Sequence, residues 1–270
     1  MPNPNPLSPL RPLAHSDGRG VAIPMAGVRA TTARLAALAI LLLLWQGVAM
    51  IVRQPVFPTP GRVLVVFVQE LPGALGRHAL ASLGRVVASI ALAIALAAPL
   101  GLVLGQSRRL DGLVAPFIYL LYPVPKVVLV PVLLLLLGIG DFPKIVLITF
   151  ILFFQILVLV RDAAASIRPE LLTSIRSLGA GRRALFRFVY LPAGVPAILT
   201  AVRQSIGTAI AVLYIAELIA TRYGLGYYIY LQGSTLFDYP RMYAGVLAMS
   251  TLGFGLYAGV DALRKFTVSS

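Results

Sequence analysis

The sequence contains no cysteine, which excludes disulfides, thiolate metal sites and cysteine nucleophiles together. Its two histidines, His15 and His78, have no partners at ligand spacing, so no metal site is expected. Charge is scarce: 12% of the 270 residues are charged, about half of the roughly 25% usual in soluble domains. Acids are scarcest, with nine Asp and Glu against 23 Lys and Arg. Few acids fall within the apolar runs, Glu217 among them, and no Ser/His/Asp or paired-carboxylate arrangement is visible there. An intramembrane enzyme would need such a group, so no catalytic residue is expected. A Gly-x4-Gly-Lys-Ser/Thr phosphate loop is also missing, so nucleotide hydrolysis must belong to another chain.

What the sequence has in abundance is apolar surface: 59% of residues are hydrophobic and the mean hydropathy is +0.91. A chain of this length has too little interior to bury that much in a soluble core. A helix needs about 20 apolar residues to cross a hydrocarbon core of about 30 Å. Six runs qualify: 34–52, 82–105, 113–138, 144–160, 194–220 and 242–263. The fold class is therefore read as all-α, a polytopic membrane bundle of about six transmembrane helices. The third run carries Pro116, Pro123, Pro125 and Pro131 and is expected to break. Residues 59–71 read as an amphipathic helix at the membrane surface, and 224–231 as a segment too short to span. Residues 1–30, Pro-rich and polar, read as a disordered cytoplasmic tail without a signal-peptide pattern, with Met25 as an alternative start. Residues 31–270 are read as one transmembrane domain.

The placement of basic residues sets an orientation. With the amino terminus inside, the inner segments hold fourteen Lys and Arg and the outer segments seven; Lys126 and Arg203, inside runs, complete the 23. Basic residues favour the cytoplasmic side, so both termini are expected in the cytoplasm. The net charge of +14 then reflects topology, and no nucleic-acid partner is expected.

The connection 161–191 is long for a helix–helix link, and it is patterned. Arg168-Pro169-Glu170 marks a helix start, with proline in the first turn and an acid near the positive end of the dipole. Leu171, Leu172, Ile175 and Leu178 fall on one helical face, Gly179 stops that helix, and a second short helix over 182–189 runs to Leu191-Pro192. Two short helices bent at a glycine make a knob that can insert into a partner.

Gly179, followed after nine residues by Val189-Tyr190-Leu191-Pro192, resembles the Gly-x9-Ile-x-Leu-Pro half of the cytoplasmic loop motif of bacterial ABC importer permeases. The string from Ser177 to Thr200 is similar to permeases of the sulfonate, taurine and nitrate importer group. Phe57-Pro-Thr-Pro60, Tyr122-Pro-Val-Pro-Lys126, Gly138-Ile-Gly140 and Ala216-Glu217 carry the resemblance over roughly residues 57–265. It implies a coupling loop between the fourth and fifth transmembrane helices, comprising Glu170, Gly179, Ala180, Gly181, Arg182, Arg183, Leu191 and Pro192, that docks on cytoplasmic ATPase subunits. The resemblance further implies a second copy of the permease, an external solute-binding protein and a bacterial cytoplasmic (inner) membrane. No cofactor is expected on this chain, since ATP and Mg belong to the ATPase. The implied solute is a small oxyanion such as a sulfonate, taurine or nitrate; importers of riboflavin or a thiamine precursor share the same likeness. One departure stands out: where the family commonly has Glu-Ala-Ala before the motif glycine, this sequence has Thr173, Ser174 and Ile175. A secondary transporter would instead show an internal repeat and a coupling acid at midplane, and neither is found.

Ionisable residues inside a membrane mark functional candidates. Lys126, Arg203 and Glu217 are accordingly taken as residues of a solute pathway; the alternative is that either cation pairs with Glu217 or with backbone carbonyls and fixes helix packing. Gly101-x3-Gly105 and Gly255-x3-Gly259 are read as sites of close helix packing. Tyr223, Tyr227, Tyr228 and Tyr230 are read as a membrane-interface belt.

Overall fold

The computed structural model describes residues 25–219 and 221–269. Most of the expected tail lies outside these residues, but 25–30 are helical, because the first helix starts at Met25. The chain divides into two units, residues 1–48 and 49–270. The first contains most of α1 (Met25–Val52), an apolar helix with Leu41 and Leu43 exposed.

The second unit is a helical bundle, without strands among the described residues. Helix α2 (Pro60–Glu70) starts at a proline, whose missing N–H is not needed in a first turn, and buries Val63. It leads to α3 (Ala74–Gln106), which ends at Ser107; the Ser107 hydroxyl caps α4 (Arg108–Leu121) by accepting from the Leu110 N–H at 3.4 Å. A single 3-10 turn, Lys126–Leu129, then joins α5 (Val130–Leu137). The two halves of this span meet at 78°, so the proline-rich third run is broken as expected. Among the described residues, five helices are long and apolar enough to cross a membrane, or six if the bent pair is one span.

The core is formed by α3, α6 (Asp141–Ala165) and α9 (Leu191–Leu218), with Ala93, Ala97, Leu147, Ile156, Ala201 and Leu213 buried between them. Alanines and glycines let these backbones approach, which is how helices associate where lipid offers no hydrophobic contrast. A Cβ on Gly105 would stand 2.5 Å from the Arg161 carbonyl oxygen and 2.6 Å from the Ala164 Cβ. One on Gly194 would meet a Leu102 methyl at 2.7 Å. Gly101 and Gly105 thus pack α3 on α6 within the chain, whereas Gly255 and Gly259 face open space.

These contacts fix the direction of each helix. Gly105, Ala164 and Gly194 lie together at one end, where α6 passes to α9 through α7 (Pro169–Ser177) and α8 (Arg182–Leu185). The start of α3, the start of α6 and the end of α9 lie together at the opposite end. There α10 (Leu225–Tyr230) and a π turn, Leu231–Thr235, precede α11 (Tyr239–Ser269). A second cluster of Leu75, Leu225, Tyr228, Ala244 and Met249 seats α10 on α3 and α11. Tyr228 is therefore a core residue and not part of an interfacial belt; Tyr223 and Tyr230 are the exposed tyrosines of this segment.

Candidate coupling loop and intramembrane polar sites

Helix α7 starts at Pro169, with Glu170 in its first turn and Arg176 in its last, charges that suit both ends of its dipole. Leu172 and Ile175 pack against the core, but Leu178 is 86% exposed and does not join their face. The reason is local. The helix ends at Ser177, and Gly179 at φ +85° turns the chain away, a conformation that costs a side chain with a Cβ about 1–2 kcal/mol. Residues 178–181 form the apex of the loop. Glu170, Gly179, Gly181 and Arg183 are exposed there and Ala180 is half-buried.

The return limb differs from expectation. The helix does not stop at Leu191-Pro192: α8 passes into a π turn, Phe186–Tyr190, and directly into α9. The Leu191 N–H donates to the Phe186 carbonyl, and Pro192 falls in the first turn of α9, where it lacks no needed donor. Val189 and Tyr190 are buried while Phe188 is 71% exposed, so the limb is anchored on one side and open on the other.

Lys126 is buried beside the break between α4 and α5. Pro123 and Pro125 cannot donate backbone N–H groups, and the carbonyls around them need other partners. The Lys126 ammonium supplies them, donating to Leu121 O at 2.9 Å, Tyr122 O at 3.0 Å and Val124 O at 3.3 Å. It also lies 4.7 Å from the centre of the Phe154 ring. A cavity of about 240 Å³ opens alongside, lined by Tyr122, Lys126, Phe154 and Gln155. Of the alternatives for Lys126, the described contacts are those with backbone carbonyls, and its charge borders a cavity.

Arg203 pairs across helices. Its Nε lies 3.3 Å from Asp261 Oδ1, its guanidinium donates to the Tyr257 hydroxyl, and the Tyr257 ring centre is 4.6 Å away. Asp261 stands within α11, so Glu217 is not the only acid inside a membrane-length helix. Asp261 also takes Lys265 at 3.1 Å, one turn away.

Glu217 is fully enclosed, and each of its carboxylate oxygens has two donors. Oε1 accepts from Ser82 at 2.8 Å and Arg85 at 2.5 Å; Oε2 accepts from Ser82 at 2.9 Å and the Gly226 N–H at 2.9 Å. Arg85 continues the network to Asp141 Oδ1 at 2.6 Å and to the Tyr223 carbonyl at 2.7 Å. The Leu225 N–H donates to Ser82 Oγ at 2.8 Å and the Gly224 N–H to His78 Nδ1 at 3.0 Å. The seven outer basic residues of the orientation count include Arg85, which hides this group from a reading by charge placement. Its position inside the run 82–105 was the available signal. Among the described residues, no cluster of three or more metal-ligating side chains occurs.

Residues 85–268 match the family described as the binding-protein-dependent transport system inner membrane component. The chain belongs to this family. It is an ABC importer permease, of a family whose ATPase activity resides on a separate subunit. The permease is 30% identical over 245 residues to the taurine transport system permease protein TauC of Escherichia coli (strain K12), covering 88% of this chain and 89% of that one. It is 30% identical over 234 residues to the riboflavin transport system permease protein RibX of Chloroflexus aurantiacus, covering 86% and 87%. Its fold superposes on an inward-facing conformation of the MetNI methionine ABC transporter with a TM-score of 0.63 and 20% identity, covering 72% of this permease and 96% of that chain. These relatives differ in solute, so kinship leaves the permease's own solute open.

Proposed function

We propose that this permease docks on its ATPase through residues 178–181 and carries a small oxyanion along a pathway bordered by the α4–α5 break. One observation supports the docking above all. The apex offers an exposed Leu178 and a left-handed Gly179, and its return limb enters α9 without an intervening loop. A groove in the ATPase can hold such an apex, and a helix continuous with it carries the motion into the membrane. ATP closing the ATPase pair draws two such loops together and tilts the bundles; hydrolysis resets them. The partners are a second, identical permease, two ATPase subunits and an external solute-binding protein, in a cytoplasmic membrane with both termini inside.

Lys126 supports the anionic solute, because its charge borders the cavity at a break that only protein or water can cover. Glu217 has no free face towards a solute in this conformation, and Arg203 is engaged by Asp261. Co-expression with the ATPase of the same importer tests the assembly. The permease should retain the ATPase chain one-to-one through tandem purification, and Leu178→Glu should release it. A permease that never retains an ATPase overturns the docking. Solute binding by the cognate external protein decides between an oxyanion and a vitamin.

A further inference from the structure

At the end of the bundle away from the coupling loop, the polar groups around Glu217 bind one backbone segment. Residues 223–226 give four groups to the network: the Tyr223 carbonyl to Arg85, and the N–H groups of Gly224, Leu225 and Gly226 to His78, Ser82 and Glu217. Those side chains come from α3 and α9, and none from the segment itself. Space is as restricted as bonding. Gly224 sits at φ +134°, and a Cβ there would collide with the Glu217 carboxyl and stand 2.6 Å from Arg85 Nη1. A Cβ on Gly226 would stand 2.7 Å from the Tyr214 carbonyl oxygen. Arg85 lies twenty residues before Gly105, which is about 30 Å along α3 and so about the thickness of the hydrocarbon core.

A fully buried carboxylate inside a membrane protein is expensive unless it is paired and fully hydrogen-bonded. Here the network holds a short helix that the apolar cluster around Leu225 and Tyr228 already seats. We infer that Arg85 and Glu217 are a positioning pair: they bind residues 223–226 into the bundle so that α10 moves with α3 and α9 during transport. Arg85 also reaches Asp141, so the start of α6 joins the same tie. The inference rests on the permease reading only for its transport consequence; the geometry it asserts belongs to the isolated chain.

The absence of cysteine makes a direct measurement possible. Leu225→Cys places the chain's single thiol at a fully buried site in the bound segment. In nanodiscs, a water-soluble maleimide should label it slowly in the parent. Adding Arg85→Gln leaves the buried Glu217 carboxylate without its cation, and Glu217→Gln leaves Arg85 with Asp141 alone; each should accelerate labelling about tenfold or more. The double variant carrying both changes removes both ties to residues 223–226 and should label at least as fast as either single. Ser82→Ala, which removes no charge, should give intermediate labelling and keeps the test decisive if a single charge variant fails to insert. Equal labelling in the parent, Ser82→Ala and the charge variants overturns the inference, as does a double variant that labels as slowly as the parent.

A second readout separates positioning from mere stability. In the assembled importer, Arg85→Gln should let ATP hydrolysis proceed whether or not the solute-loaded external protein is present. A purely structural residue would lower the amount of folded complex and keep that dependence, and this result would also overturn the inference. If no ATPase assembles with the parent chain, the permease docking fails while the labelling result still decides the geometry.

Discussion

Arg203 on α9 and Asp261 on α11 form an ion pair between two membrane-length helices, with Tyr257 both stacking on the guanidinium and accepting a hydrogen bond from it. The two residues lie 58 positions apart in sequence, and each gives the other a partner that lipid cannot. Removing Asp261 leaves Arg203 without its acid, whereas removing Arg203 leaves Asp261 its ion pairs with Lys265 and Arg264. Asp261→Asn and Arg203→Leu should each lower the thermal midpoint of the purified permease by several degrees. The double variant Arg203→Leu with Asp261→Leu should lose less than the sum, because losing Asp261 no longer leaves Arg203 without an acid. Strict additivity in that cycle would show that the pair is not coupled.

Gly105 and Gly259 make a matched comparison. Gly105→Ala drives a methyl into the Arg161 backbone, and overpacking of this kind costs about 1–3 kcal/mol. Gly259→Ala meets open space within the chain and gains up to about 1 kcal/mol of helix propensity. Unfolding in detergent should therefore separate the two alanine variants in opposite directions. If Gly259→Ala instead weakens the permease pair on a sizing column, its open face is the seam between copies.

Gly179→Val tests the apex alone. The substitution forces a β-branched residue towards φ +85°, with nothing nearby to clash with a Cβ, so the penalty is conformational and local. Membrane insertion should be unchanged, while solute-stimulated ATP hydrolysis in the assembled importer should fall at least about tenfold, the factor that ~1.4 kcal/mol of lost coupling produces. Undiminished stimulation would remove residues 178–181 from the docking surface.

Lys126→Met keeps the bulk of the side chain but leaves the carbonyls of Leu121, Tyr122 and Val124 without their donor. If Lys126 also sets the charge of the pathway, uptake of an anion should fall more than that of a neutral analogue. Equal losses for both would confine Lys126 to holding the break.

How much of this was legible in the sequence follows from the range of the interactions involved. The spans were legible because hydrocarbon thickness imposes a length that apolar runs must meet, and the break between α4 and α5 was legible because proline acts on its own neighbours. The glycine at the apex was readable for the same local reason. The tie around Glu217 was not, because Ser82 and Arg85 lie more than 130 residues from it and no periodicity connects them. Asp261 and Arg203 were separated in the same way. Leu178 was placed with Leu172 and Ile175 by helical spacing, but the helix ends one residue before it. The continuity of α8 with α9 was hidden by Pro192, which reads as a stop, although a π turn brings it into a first turn where it is tolerated.

That continuity has a mechanical consequence. From Leu191 to Leu218, α9 is one rod about 42 Å long, joined to the apex at one end and carrying Glu217 at the other. Pro192 in its first turn and Pro196, whose carbonyl accepts from the Thr200 hydroxyl at 2.7 Å, are its residues without a backbone N–H. A torque applied at residue 179 would cross the π turn at 186–190, Pro192 and Pro196 in succession, so give is gathered near the loop and the unbroken helix beyond Pro196 is the stiff shaft that reaches the far face.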